Sequence, residues 1–144
     1  MIRVLVDTNV IISALLFPDS TPARAVALVL DEHQLVLTDW IIEELHQVIG
    51  RKRPDLLAAL DTLLAGLDYQ LASPGDPSVP ISDPDDQPII DAAVAGAVDV
   101  IVTGDKAFLS LSLERPRILT ARDFLNWHPR TGAPPTTRSE EPKP

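Results

Sequence analysis

The sequence predicts an α/β fold: a mainly parallel sheet covered on both faces by helices. Three observations carry this. Short β-branched runs alternate with longer segments of helical period. The runs are mostly apolar rather than polar at every second residue, as strands buried on both faces are. The helical segments open on cap residues. In order, Ile2–Val6 reads as a strand that stops abruptly at Asp7, and Thr8–Leu16 turns helical. Thr21-Pro22 pairs an N-cap with proline at the first helical position and leads into Ala23–Leu30. Leu35–Leu37 is a second strand, and Thr38 caps a helix reaching about Ile49. Leucine spacing makes Pro54–Leu67 a helix, and Ile89–Ala97 is an alanine-rich one. Val100–Val102 is a third strand, Lys106–Leu113 is helical, Arg117–Leu119 is a fourth strand, and Thr120 caps a last helix, Ala121–Asn126.

At 144 residues the chain is one domain's worth. Hydrophobic residues make up 45% but aromatics only 4%, so the core must come from Leu, Ile, Val and Ala. The Pro- and Asp-rich stretch Ser73–Pro88 lies between periodic segments and reads as an internal loop. Residues 128–144 carry no apolar side chain larger than Ala or Pro, cannot offset their ordering entropy, and are expected to be a disordered tail. The absence of cysteine excludes disulfides and thiolate metal sites and suits a reducing cytoplasm, the expected compartment. No stretch is long enough for a membrane span, and the opening does not read as a secretory signal. With 12 basic against 21 acidic residues the net charge is −9, which argues against binding polyanions by bulk charge. A polyanionic substrate would need local basic groups or bound cations.

Ligands of doubly wound sheets bind beyond the carboxyl ends of the strands. Asp7 follows the first strand there, and Asp105 follows Val100–Val102 across the Thr103-Gly104 turn. On the Thr38-capped helix the apolar face gathers Ile41, Ile42, Leu45, Val48 and Ile49, with Glu44 on its flank and Glu43 toward solvent. Asp86 heads its helix in line with Ile89, Ile90 and Ala93. Four acids aimed at one place repel unless a cation joins them, and all-oxygen sites select hard ions such as Mg²⁺ or Mn²⁺. Such clusters serve metal-assisted phosphodiester hydrolysis. Each acid also has a plainer reading: Asp7 or Asp86 as a helix cap, Glu44 as a solvated helix residue, Asp105 as a turn residue. His33, His46 and His128 lack ligand spacing and read as structural or solvent-facing; Trp40 and Trp127 read as core or interface.

The segments VLVDTNVIISALL, IIEEL and SDPDDQPIIDAAVAGAVDVIVTGDKAFL, in that order, resemble the PIN domain family, in particular VapC-like toxin ribonucleases of bacterial toxin–antitoxin systems. The resemblance runs from Met1 to Trp127 and sets the expected PIN domain at 1–127. It implies a three-layer α/β/α sandwich around a mainly parallel sheet, acting as a Mg²⁺- or Mn²⁺-dependent endoribonuclease. Asp7, Glu44, Asp86 and Asp105 match the family's acidic quartet as catalytic residues and metal ligands, with Asp83 the nearest alternative to Asp86. Asn9 and Thr103 match the small polar positions beside the first and last acids and would orient them. Arg51, Lys52, Arg53 and Lys106 are candidate RNA contacts. The resemblance further implies a small antitoxin partner and a homodimer. Two other classes compete. A haloacid-dehalogenase-type phosphatase wants a second Asp where Asn9 stands, and a catalytically idle interaction module would not need all four acids.

Overall fold

A computed structural model describes residues 1–75, 80–81, 84 and 86–127. Its elements are β1 (Arg3–Val6), α1 (Thr8–Leu16), α2 (Thr21–Glu32), β2 (Gln34–Thr38), α3 (Asp39–Lys52), a 3₁₀ turn (Pro54–Leu56), α4 (Leu57–Gly66), β3 (Tyr69–Ala72), α5 (Gln87–Ala95), β4 (Val100–Val102), α6 (Lys106–Leu109), β5 (Arg117–Leu119) and α7 (Ala121–Trp127). The five strands form one sheet in the order β3-β2-β1-β4-β5 with every pairing parallel. The α/β/α sandwich is therefore as expected, with β1 in the middle.

The strands are apolar because both faces are covered. Val4, Leu5, Val6, Val36, Leu37, Ile101 and Val102 are all essentially inaccessible to water. Helices α1, α2 and α7 pack together, while α3 meets α4 and α5. His46 on α3 sits with Nδ1 2.8 Å from the Ile42 carbonyl and Nε2 2.7 Å from Asp61 on α4. Both ring nitrogens face acceptors, so its pKa rises, chiefly through Asp61. This histidine is structural, in keeping with its lack of ligand spacing.

Several boundaries differ from the sequence reading. Tyr69–Ala72 is a fifth strand, on the sheet's edge beside β2. It was illegible because Gln70 and Leu71 are both exposed, so neither alternation nor an apolar run marks it. Ser20, not Thr21, caps α2, its hydroxyl accepting from the Ala23 N–H at 3.2 Å. Pro54–Leu67 divides into a 3₁₀ turn and α4, and Lys106–Leu113 keeps only its first turn as helix. The expected tail 128–144, with His128, and Asp83 lie outside the described residues.

The turn from α5 into β4 contains a testable imperfection. Ala97 has φ 53°, and the Val98 and Ala97 N–H groups donate to Ala93 (3.0 Å) and Val94 (3.2 Å). This is a Schellman cap with alanine in the left-handed position that glycine normally fills. That conformation costs about 1–2 kcal/mol for a residue with a Cβ, against roughly 0.5–1 kcal/mol of extra chain entropy for glycine. Ala97→Gly should therefore raise stability by about 0.5–1 kcal/mol and Tm by a few degrees in thermal denaturation.

Candidate active site

Chain order and strand order diverge at β1. The chain moves outward through β2 and β3, then returns to the other side of β1 for β4 and β5. The carboxyl ends of β1 and β4 therefore flank the crevice where such sheets place their ligands. Asp7 stands at the end of β1, its N–H continuing the ladder to the Val102 carbonyl at 3.0 Å. Thr103 to Asp105 occupy the end of β4. Helices that return antiparallel to the strands begin at this same edge, which brings the early turns of α3 and α5 there with Glu44 and Asp86.

Asp7 is only 5% exposed. Its Oδ1 accepts from the Thr8 N–H at 2.8 Å, capping α1, and its Oδ2 accepts from the Thr103 hydroxyl at 2.8 Å. Thr103, wholly buried, also accepts from the Asp105 N–H at 3.0 Å. One hydroxyl thus joins the two strand-end acids. Asp105 caps the short α6 through the Ala107 N–H at 2.8 Å. Half-buried Glu44 receives the Thr8 hydroxyl on Oε1 at 2.6 Å. The cap reading of Asp7 therefore holds and coexists with the cluster, while Asp105, expected as a turn residue, is also a helix cap.

Burial pushes the Asp7 pKa above its ordinary value, and the charges of Glu44 and Asp105 push it further; the hydrogen bonds from Thr103 and Thr8 pull the other way. Among the described residues no Lys, Arg or His forms an ion pair with Asp7, Glu44 or Asp105. The repulsion within this trio is not relieved by an ion pair among the described residues. Nor do any three acidic or histidine side chains among the described residues stand close enough to cage an ion as they are. Hard carboxylate oxygens gathered about one buried aspartate suit a divalent cation, which would draw them together.

The other candidates divide. Asp86 occupies the N-cap position of α5, half-buried, on a helix that packs against α3. Asn9 is exposed and makes no hydrogen bond to the acids among the described residues; the orienting hydroxyl on that side belongs to Thr8. Thr8 was missed because a threonine following a capping aspartate reads as an ordinary first-turn residue. Lys106 lies exposed beside Asp105. Arg51, Lys52 and Arg53 are exposed at the far end of α3, roughly 10–14 Å along its axis from Glu44 at 1.5 Å per residue. Arg53 is occupied by Asp55 at 2.9 Å. The structure does not bring this basic run to the acids. Trp40 is 43% exposed and borders a depression with Glu43, Glu44 and Gln47, so it is not a core residue, whereas Trp127 is buried.

Residues 3–107 match the PIN domain family model, and the chain belongs to that family. Its fold is similar to that of a chain in the crystal structure of VapBC2 from Rickettsia felis bound to a DNA fragment from their promoter, with a TM-score of 0.59 and 16% identity over 81% of this chain and 96% of that one. No curated protein matches the sequence. PIN domains are generally nucleases. Among the described residues no helix is long and apolar enough to cross a membrane.

Proposed function

We propose that this PIN domain is a Mg²⁺- or Mn²⁺-dependent endoribonuclease, the toxin of a toxin–antitoxin pair acting in the cytoplasm. The observation that carries the reading is the buried Asp7 carboxylate, destabilised by burial and by Glu44 and Asp105, with no ion pair to any of the three among the described residues. Asp7, Glu44, Asp86 and Asp105 would hold the ion, with Asp83 the alternative to Asp86. When bound, a divalent cation lowers the pKa of water and offsets charge building on the phosphate. The chain's own part is preorganisation. Thr103 fixes Asp7 and the Asp105 backbone together, Thr8 fixes Glu44, and the N–H of Ala107 holds Asp105. Carboxylates held in this way need little rearrangement when the ion arrives.

The partner reading has its own support. One structural neighbour is a chain of VapBC2 bound to a DNA fragment from their promoter. Here α1, α2 and α4 border an apolar groove of about 360 Å³, with Leu15, Leu30 and Leu64 on its walls. Such a groove suits an amphipathic helix of a small antitoxin. With a net charge of −9, contact with promoter DNA would fall to that partner. A homodimer is part of the same proposal.

The test is cleavage of labelled single-stranded and structured RNAs by the purified protein with Mg²⁺, Mn²⁺ or EDTA. Ion-dependent cleavage is expected. Cleavage that survives EDTA contradicts the cation's role, and a folded protein that cleaves nothing favours an interaction module.

A further inference from the structure

Resting on the nuclease reading, we propose that the depression between α1 and the ends of β4 and β5 is a ribonucleotide subsite beside the scissile bond, with Arg122 as its phosphate-binding residue. The depression measures about 280 Å³ and is bordered by Asn9, Val10, Ser13, Gly104, Thr120 and Arg122. It neighbours the acidic centre: Thr103, which donates the hydroxyl that holds Asp7, and Gly104, which precedes Asp105, both border it. A substrate bound at the acids and extending across the sheet edge toward β5 therefore enters it.

The lining fits a nucleotide in three respects. Half-buried Pro22, with the little of Val10 and Ala121 that reaches the surface, gives an apolar floor for the carbons of a ribose or the edge of a base. Asn9, Ser13 and Thr120 add side-chain groups able to hydrogen-bond sugar hydroxyls or base edges. Arg122 brings the cation. It is exposed in the first turn of α7 and forms no salt bridge among the described residues, in contrast to Arg53 and Arg115, which are paired with Asp55 and Asp99. A guanidinium without a carboxylate partner among the described residues, bordering a depression that shares Thr103 with the Asp7 hydrogen bond, in a chain of net charge −9, is placed to offset the repulsion between RNA phosphates and the acids. Its planar fork suits two phosphate oxygens at once. The role that the sequence suggested for Arg51, Lys52 and Arg53 passes to this residue on the acidic side of the fold.

The experiment compares wild type, Arg122→Gln and Arg122→Lys. One readout is anisotropy of a fluorescein-labelled single-stranded RNA octamer in EDTA across a salt series, and the other is Mn²⁺-dependent cleavage of the same oligomer. Arg122→Gln should weaken binding roughly tenfold and lower the salt slope by about one, with the cleavage defect carried by KM. Arg122→Lys should keep the salt slope while recovering only part of the affinity, since a point charge replaces a fork. Circular dichroism melts confirm that each variant is folded. Wild-type cleavage combined with unchanged binding and slope in folded Arg122→Gln overturns the subsite and leaves the nuclease standing. A wild type that neither binds nor cleaves RNA overturns both.

Discussion

Asp7→Asn is expected to remove RNA cleavage and, in the same protein, to raise the stability of the cation-free fold. Loss of a ligand that helps place the cation should cost several kcal/mol of transition-state stabilisation, a rate loss on the order of 10²–10³-fold or more. The stability effect follows from the raised Asp7 pKa. Below the unfolded-state value, near 3.9 for aspartate, the group is protonated in both states and its burial carries no charge penalty. As pH climbs through the higher folded-state pKa, the buried group must ionise beside Glu44 and Asp105, and stability falls. The wild type should therefore lose stability across that window and level off above it, and Asp7→Asn should flatten the profile. Removing a destabilised functional carboxylate commonly gains about 0.5–2 kcal/mol at neutral pH. Adding Mn²⁺ should stabilise the wild type by mass action and leave the variant unmoved. Thermal melts at several pH values with and without Mn²⁺ check each part. A variant less stable than wild type at pH 7 would mean that the hydrogen bonds from Thr103 and Thr8 outweigh burial and repulsion.

The second large effect is structural. Phe108 is fully buried on α6, a helix of four residues that begins at the capping Asp105. One isolated turn does not hold itself together, so the burial of Phe108 pins α6 and, through it, Asp105. Phe108→Ala should cost about 3–5 kcal/mol, the usual range for emptying such a site. This is a large share of a typical 5–15 kcal/mol total. The urea midpoint should fall sharply, and cleavage should drop even at temperatures where the variant remains folded. Phe108→Leu should recover much of both. A loss below about 1 kcal/mol would show that α6 is held by something other than this ring.

The sheet's centre was readable because its physics is local. Val4–Val6 and Val100–Val102 are apolar enough to declare strands, and Thr38 declares the start of α3 by the bond its hydroxyl accepts from Ile41 at 3.0 Å. The edge was less readable. Nothing in Tyr69–Ala72 separates a half-exposed strand from a loop, and only its parallel pairing with β2 makes it one. The site divides the same way. Asp7 and Asp105 could be placed from strand ends and Glu44 from helical phase, each within one short segment. Thr8 could not, since its role depends on Glu44, 36 residues away. Arg122 beside Asp123 reads as an ordinary charged helix residue until the return of the chain sets β5 next to β4. Trp40, read as core or interface, is not in the core: the second position of a helix opening at the sheet's edge leaves it facing out.

The proposed function stands or falls on a divalent cation shared by the strand-end carboxylates. Calorimetric titration of Mn²⁺ into the wild type, Asp7→Asn and Asp105→Asn is the deciding experiment. Saturable binding by the wild type is expected, and both substitutions should abolish it or weaken it at least tenfold. Folded wild type that takes up no Mn²⁺, or variants that bind it unchanged, would contradict the shared cation.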